Sequence, residues 1–361
     1  MHVLDTEKTW ERYDRDRMFE SIQALGQQFQ QAYEEASAVR IPKSYSKVKS
    51  VVICGMGGSA LAGHVIQTVF RDVLRVPVAV INDYHWPAYV STDTLCIISS
   101  YSGTTEEPVA ALPEARRKHA KILIICAGGT MAKRAHQYRL PAYIFNPKHN
   151  PCDQPRMALG YSIIGMMMLL KNAGLLSVRA QTVQRMIREV QRAQKRYGLK
   201  LAFNSNIAKK TAQQLHGKIP VLVSSEHLIG NMHVFANQLN ENSKTFAMYF
   251  PIPELNHHLL EGLRFPKLNT RALTFLFVTS KNFDKRNILR CAITQSVVVK
   301  NHIPTITIPI PRADRVVEAC HALVFGSYVN YYLALLYRID PSPIPWVHYF
   351  KKALAVGTKS R

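Results

Sequence analysis

The sequence predicts an α/β protein made of two doubly wound parallel-sheet domains, each an α-β-α sandwich. Three observations carry this expectation. Short apolar runs alternate twice with helix-period segments along the 361 residues. The first run is followed by a glycine-rich turn, Gly55-Met56-Gly57-Gly58-Ser59, and a later one by the hydroxyl-rich loop Ser99 to Thr105. The length suffices for two such domains, and the 47% apolar content is ordinary for a globular chain.

Residues 5 to 40 read as helical, with Met18, Phe19, Ile22, Leu25 and Phe29 at helical spacing within Arg12 to Tyr33. The alternation then begins. Val51 to Cys54 reads as a strand, Ala60 to Val69 as a helix, and Val76 to Ile81 as a strand. Leu95 to Ser99 is a strand, the hydroxyl loop leads into a helix reaching His119, and Ile122 to Cys126 is a strand. Gly128-Gly129-Thr130 opens a short helix, and Ala142 to Phe145 is a last strand. These runs are continuously apolar, as suits strands covered on both faces. A helix pair spans Met157 to Tyr197, broken near Asn172-Ala173-Gly174. The second alternation has strands at Ile219 to Ser224, Thr245 to Phe250, Leu273 to Val278 and Thr305 to Ile308. Its helices are Gly230 to Asn240, Lys285 to Lys300 and Asp314 to Tyr337. This divides the chain into an N-terminal domain over residues 1–155 and a C-terminal domain over 156–361.

No apolar run approaches the ~20 residues of a membrane span; Met157 to Leu170 comes nearest. The opening Met1-His2-Val3-Leu4-Asp5 lacks the basic region and apolar core of a signal peptide, so a cytoplasmic location is expected. Cysteines 54, 96, 126, 152, 291 and 320 form no C-x-x-C pair, which points away from a disulfide framework or a zinc site. Forty-six basic against 24 acidic residues give a net charge of +22. The basic residues are dispersed and not interleaved with aromatics, so they suit anionic substrates in general and point to no specific nucleic-acid contact. Residues 357 to 361 read as a disordered basic tail.

Ser100, Tyr101, Ser102, Thr104 and Thr105 put five hydroxyls at a strand-to-helix turn. A helix N-terminus favours anions through its free N–H groups and partial positive charge. A simple cap by Thr105, with Glu106 and Glu107 in the first turn, would need only one of those hydroxyls. The pattern therefore points to a phosphate site. Cys54 to Ala60 also satisfies G-x-G-x-x-A with Asp83 beyond the next strand, which alone would suit a dinucleotide-binding oxidoreductase. With the hydroxyl loop, Gly57, Gly58 and Ser59 instead suit a small sugar, and Ser100, Ser102 and Thr105 its phosphate.

Together, G-M-G-G-S and S-Y-S-G-T-T-E-E over residues 50 to 145 resemble the sugar isomerase (SIS) domain family. Thr104 stands where that family often has Asn. In the second half, Glu241 within Q-L-N-E-N-S-K and His257 within P-E-L-N-H-H suit aldose–ketose isomerisation. That reaction needs a carboxylate to shuttle a proton between adjacent carbons, an acid/base to open the ring, and a cation for the developing oxygen charge.

These segments, with Q-P-R-M-A-L-G-Y at 154 to 161 and D-P-S-P-I-P…Y-F-K-K at 340 to 352, resemble the bifunctional phosphoglucose/phosphomannose isomerase family over nearly the whole chain. The resemblance implies Glu241 as enediol base, His257 as the ring-opening residue, Arg156 as the enediolate-stabilising cation, and Lys351 (beside Lys352) as an aid to ring opening. Ser342 stands where the family commonly has Thr, a hydroxyl implicated in accepting both sugar epimers. It implies a homodimer with shared active sites, a phosphorylated hexose substrate, and no cofactor or metal. The alternatives are a non-catalytic sugar-phosphate sensor, which would not need Glu241, His257, Arg156 and Lys351 together, and an amide-transferring SIS enzyme, which would usually carry an N-terminal amidotransferase domain. Ser225-Glu226-His227 departs from the glycine-rich turn expected at the start of the second domain.

Overall fold

Residues 2–357 are described by a computed structural model; residues 358–361, most of the basic tail, lie outside it. The first sheet is formed by β1 (Ser50–Cys54), β2 (Val78–Ile81), β3 (Thr94–Ser100), β4 (Lys121–Cys126) and β5 (Ala142–Ile144), in the order β2-β1-β3-β4-β5. The second holds β6 (Ile219–Ser225), β7 (Met248–Ile252), β8 (Leu273–Thr279) and β9 (Thr305–Pro309), in the order β7-β6-β8-β9. All pairings are parallel, with Val51 opposite Val78 and Leu95, and Val221 opposite Met248 and Phe275. Each sheet thus starts at an inner strand, adds one neighbour on one side, and then builds outward on the other. That reversal opens a crevice at the carboxyl ends of the strands. The two sheets share this winding, so each half has one such crevice.

Among the described residues, fourteen α-helices accompany the sheets. In chain order they are α1 (Glu7–Tyr13), α2 (Met18–Gln23), α3 (Leu25–Ser37), α4 (Gly58–Val69), α5 (Glu106–Arg117), α6 (Gly129–Gln137) and α7 (Leu159–Asn172). There follow α8 (Ala180–Tyr197), α9 (Ile207–Leu215), α10 (Ile229–Glu241), α11 (Asn269–Ala272), α12 (Lys285–Lys300), α13 (Arg315–Leu336) and α14 (Pro345–Gly357). One apolar core runs between the two sheets, from Phe29 and Ile53 through Met166 and Phe235 to Leu276 and Phe325. The helices α4 and α10 lie side by side in it, and a Cβ on Gly230 would collide with the backbone of His64. Gly230 therefore sets how closely the two halves approach.

The single N-terminal helix expected over 5 to 40 is three. Asp14 accepts hydrogen bonds from the N–H groups of Met18 (2.7 Å) and Phe19 (2.8 Å), and Arg17 takes a left-handed φ of 61°. That side-chain cap ends one helix and starts another within one amphipathic pattern. The edge strand β7 begins at Met248, three residues later than expected, and its outward position tolerates Pro251. Three helices were not expected, α9, α11 and α14. The segment most suited to a membrane by length and composition is not Met157 to Leu170 but the 22-residue α13, whose most apolar 18-residue stretch is 94% buried within the protein. Its Glu318, His321 and Asn330 find partners inside, on His227, Glu189 and Asn242. All six cysteines are buried and reduced.

Candidate active site

The carboxyl ends of β1 and β3 carry the two loops singled out in the sequence. Gly57 takes φ 47° and ψ −128°, and α4 starts at Gly58. A Cβ on Gly58 would stand 2.8 Å from both the Arg156 nitrogen and the Pro155 carbonyl carbon. Only glycine lets the turn bearing Arg156 pack onto the start of α4. Gly103, with φ 67°, touches Gly128 of the next loop in the same way, and its carbonyl accepts from the Met131 N–H at 2.9 Å.

The loop hydroxyls fall into two groups. Ser59 and Ser100 are buried. Ser59 Oγ accepts the Tyr101 N–H at 2.9 Å, tying the β1–α4 turn to the β3–α5 loop, and the Ser100 hydroxyl donates to Thr105 Oγ1 at 3.0 Å. Ser102 and Thr104 are exposed, and Ser102 Oγ accepts from the Thr104 N–H (3.3 Å) and Oγ1 (3.0 Å). Thr105 caps α5 by position without a side-chain bond to its backbone. The first N–H groups of α5 thus stay available to an anion, as helix geometry requires. Tyr101 extends the loop laterally: its hydroxyl donates to Asp153 (2.8 Å) and accepts from Asn150 (3.0 Å).

Arg156 joins this cradle to the second half. It is almost fully buried, and its guanidinium is satisfied on every side. Nε donates to Asn242 Oδ1, and Nη1 to Gln154 Oε1 (2.7 Å) and Glu241 Oε2 (3.2 Å). Nη2 donates to the carbonyls of Pro341 (3.1 Å) and Ser342 (2.8 Å). A planar fork of five donors is the side chain that can hold such a set. Glu241, at the end of α10, is partly exposed. Burial raises its carboxyl above the usual range, and the charges of Arg156, Lys244 and Lys351 oppose the rise. Three cations thus surround one half-desolvated carboxylate, and Lys351 on α14 is one of them.

Sequence reasoning did not single out Lys244. It has a left-handed φ of 52°, and Nζ donates to the carbonyls of Asn242 (3.2 Å), Asp340 (3.2 Å) and Pro341 (2.9 Å). Burial and the neighbouring Arg156 charge lower it to about 8. It shares Pro341 with Arg156, so the two cations clamp the turn that precedes α14. Gln154 and Asn242 were likewise missed, although both lie inside the quoted motifs. Ser342 is fully buried, its carbonyl is held by Arg156, and its hydroxyl has no hydrogen-bond partner.

His257 is not part of this cluster. It is exposed, in a short turn after the carboxyl end of β7, whereas Glu241 closes a helix that returns to the amino end of that strand. The five residues of β7 put about 16 Å of strand between the two ends. Within one chain, Glu241, Arg156 and Lys351 come together, the Arg156 turn packs on Gly58 at the start of α4, and His257 lies apart from them. The neighbouring His258 is engaged with Glu254 at 2.7 Å.

Comparison with known proteins places both halves in known families. The SIS domain profile matches residues 44–152, and the profile of the bacterial phospho-glucose isomerase C-terminal SIS domain matches residues 204–354. A bifunctional phosphoglucose/phosphomannose isomerase of Caldicellulosiruptor bescii is 32% identical over 347 residues, covering 94% of this chain and 99% of the relative. The chain belongs to the bifunctional phosphoglucose/phosphomannose isomerase family. A member from Aquifex aeolicus is 28% identical over 87% of this chain and 93% of its own length. A more distant relative is a D-glucosamine-6-phosphate 4-epimerase of Sulfolobus acidocaldarius, 24% identical over 65% of this chain and 70% of its own. Among solved structures, a hypothetical protein from Thermus thermophilus superposes with a TM-score of 0.70 over 94% of this chain and 91% of that one, at 15% identity. A glucose-6-phosphate isomerase from Chlamydia trachomatis gives 0.66 over 93% and 74%, at 12% identity. These two likenesses speak for the fold alone. As a member of the phosphoglucose/phosphomannose isomerase family, the protein is a sugar-phosphate isomerase.

Proposed function

We propose that the protein interconverts glucose 6-phosphate and fructose 6-phosphate, and mannose 6-phosphate as well, through an enediol. The observation that carries this reading is Glu241, a carboxylate raised by burial, held 3.2 Å from Arg156, whose turn packs on the start of α4. Ser102, Thr105 and the N-terminus of α5 take the phosphate, with Ser59 and Ser100 bracing the loop and Gly57 and Gly58 giving the sugar close access. Glu241 takes the proton from the carbon next to the carbonyl and returns it to the neighbouring carbon. One carboxylate can serve both carbons because the enediol is planar and they are adjacent. Arg156 offsets the charge on the enediolate oxygen in a site partly closed to water. Lys351 approaches from α14 and aids ring opening, and Ser342 keeps the hydroxyl through which both epimers are accepted. Proton transfer of this kind calls for neither metal nor nucleotide.

His257 opens the ring in the site of a second copy. Its distance from Glu241 along β7 supports a homodimer with shared active sites. So do the exposed apolar side chains Leu289 and Ile293 on α12 and Trp346, Tyr349 and Phe350 on α14. Six reduced cysteines suit a cytoplasmic enzyme. A non-catalytic sensor would have no use for a raised carboxylate ringed by three cations.

A coupled assay tests the reading. Purified protein given fructose 6-phosphate should produce glucose 6-phosphate, and given mannose 6-phosphate should produce fructose 6-phosphate. Absence of both, with sugar phosphate still bound, would leave the sensor.

A further inference from the structure

We infer that the crevice of the second sheet is a separate binding site for a hydroxylated phosphate monoester. The helices α4 and α10 run side by side in opposite senses. The start of α4 and the end of α10 form the site described above. The end of α4 and the start of α10 flank a second cleft of about 420 Å³, at the carboxyl ends of β6, β7 and β8. An α-helix rises 1.5 Å per residue, so about 18 Å of α4 lies between the two. The second cleft occupies in the second half the place that the phosphate cradle occupies in the first, where the strand order reverses between β6 and β8.

Its chemistry differs from that of the first. The turn after β6 is Ser225-Glu226-His227 in place of glycines, and four arginines converge: Arg71, Arg286, Arg290 and Arg315. The three carboxylates in the lining are already engaged. Asp72 pairs with Arg315, and Asp284 caps α12 and pairs with Arg286 at 3.0 Å. Glu226 accepts from the Asp284 N–H (2.6 Å) and Asn287 (2.9 Å) and lies 3.8 Å from Arg315. Among the described residues, Arg71 and Arg290 have no carboxylate partner. Arg290 donates only to Asn256 Oδ1, at 3.2 Å.

The second observation is His227. Its side chain is fully buried in the cleft wall, Nε2 lies 2.8 Å from Glu318 Oε2, and Nδ1 has no partner. With Nε2 donating to Glu318, Nδ1 offers a lone pair to a ligand hydroxyl, or a proton to an anion when the ring is charged. Two uncommitted guanidiniums suit a phosphate, which they can grip bidentately, and the free imidazole nitrogen suits a hydroxyl on the same molecule. The cleft has no counterpart of Glu241 positioned over it, so the assignment is binding without turnover.

Calorimetric titration of Glu241→Gln protein with fructose 6-phosphate tests this without the substrate being consumed. Two equivalents per chain are expected, falling to one when Arg71→Met and Arg290→Met are added. If the double change prevents folding, Arg71→Met alone, at an exposed position, should weaken the second phase about tenfold, the usual worth of one charge-assisted hydrogen bond. Inorganic phosphate should bind the second cleft at least about tenfold more weakly than the ester, since it lacks a carbon-borne hydroxyl that can reach His227 while the arginines hold the phosphate. A single equivalent in the Glu241→Gln protein that the arginine substitutions leave unchanged, two equivalents that persist after them, or equal affinity for inorganic phosphate would each overturn the proposal. One equivalent that vanishes with the arginines would uphold this site and instead remove the phosphate role of the Ser102 loop.

Discussion

Arg156 Nη1 lies 3.2 Å from Glu241 Oε2, and the same guanidinium holds the carbonyls of Pro341 and Ser342. One buried side chain thus links the start of α4, through Gly58, to the carboxylate of the other half and to the turn that launches α14.

Replacing Glu241 by Gln keeps the shape and the Arg156 contact but removes the base. Turnover of fructose 6-phosphate should fall by at least about 10²–10⁴-fold with KM nearly unchanged. Steady-state kinetics on the purified variant check this, and near-normal turnover would remove Glu241 from the mechanism.

The pH dependence follows from the sign of the Glu241 shift. Burial raises this carboxyl above the ordinary 4.5, so the working carboxylate is lost, as pH falls, at a higher pH than for an exposed Glu. Arg156 pulls in the other direction. Lys at that position keeps a charge but cannot hold all five contacts, so Arg156→Lys should move the acidic limb of kcat/KM further up. Unfolding should also be easier, by about 1–3 kcal/mol for the lost charged hydrogen bonds. A limb unmoved or shifted down would contradict the coupling.

Gly58→Ala puts a methyl 2.8 Å from the backbone of the Arg156 turn. Neither backbone can yield cheaply, and overpacking of this kind costs about 1–3 kcal/mol. A lower melting temperature and a larger fractional loss of kcat than Ser102→Ala are expected. Ser102→Ala should mainly raise KM, because it removes a phosphate contact and leaves Arg156 in place.

The position of both loops at strand ends was legible in the sequence, and Gly58 and Gly103 each abut backbone that admits no side chain. Arg156, Glu241 and Lys351, far apart in sequence, were connected only by resemblance to a family. Lys244 was missed because nothing local marks a lysine whose partners are carbonyls of residues 340 and 341. The break at Asp14–Arg17 was missed because the apolar spacing continues across it, and capping there is done by one side chain. The separation of His257 from Glu241 depends on which end of β7 each occupies, a matter of topology more than of sequence distance.

That separation predicts complementation. Glu241→Gln and His257→Ala proteins should each be nearly inactive alone. Mixed and refolded together, they should recover up to about a quarter of wild-type activity if each site takes its base from one chain and its histidine from the other. No recovery, with mixed dimers demonstrated by native mass spectrometry, would confine the site to one chain.

The most direct test of the central claim is turnover of fructose 6-phosphate in deuterium oxide, with the glucose 6-phosphate product read by proton NMR at C2. Proton transfer by Glu241 through an enediol predicts deuterium at C2, and its loss together with turnover in Glu241→Gln. Product that carries only protium at C2 even after many interconversions of the two sugars would be the pattern of direct hydride transfer between the two carbons, and would contradict the role assigned to Glu241.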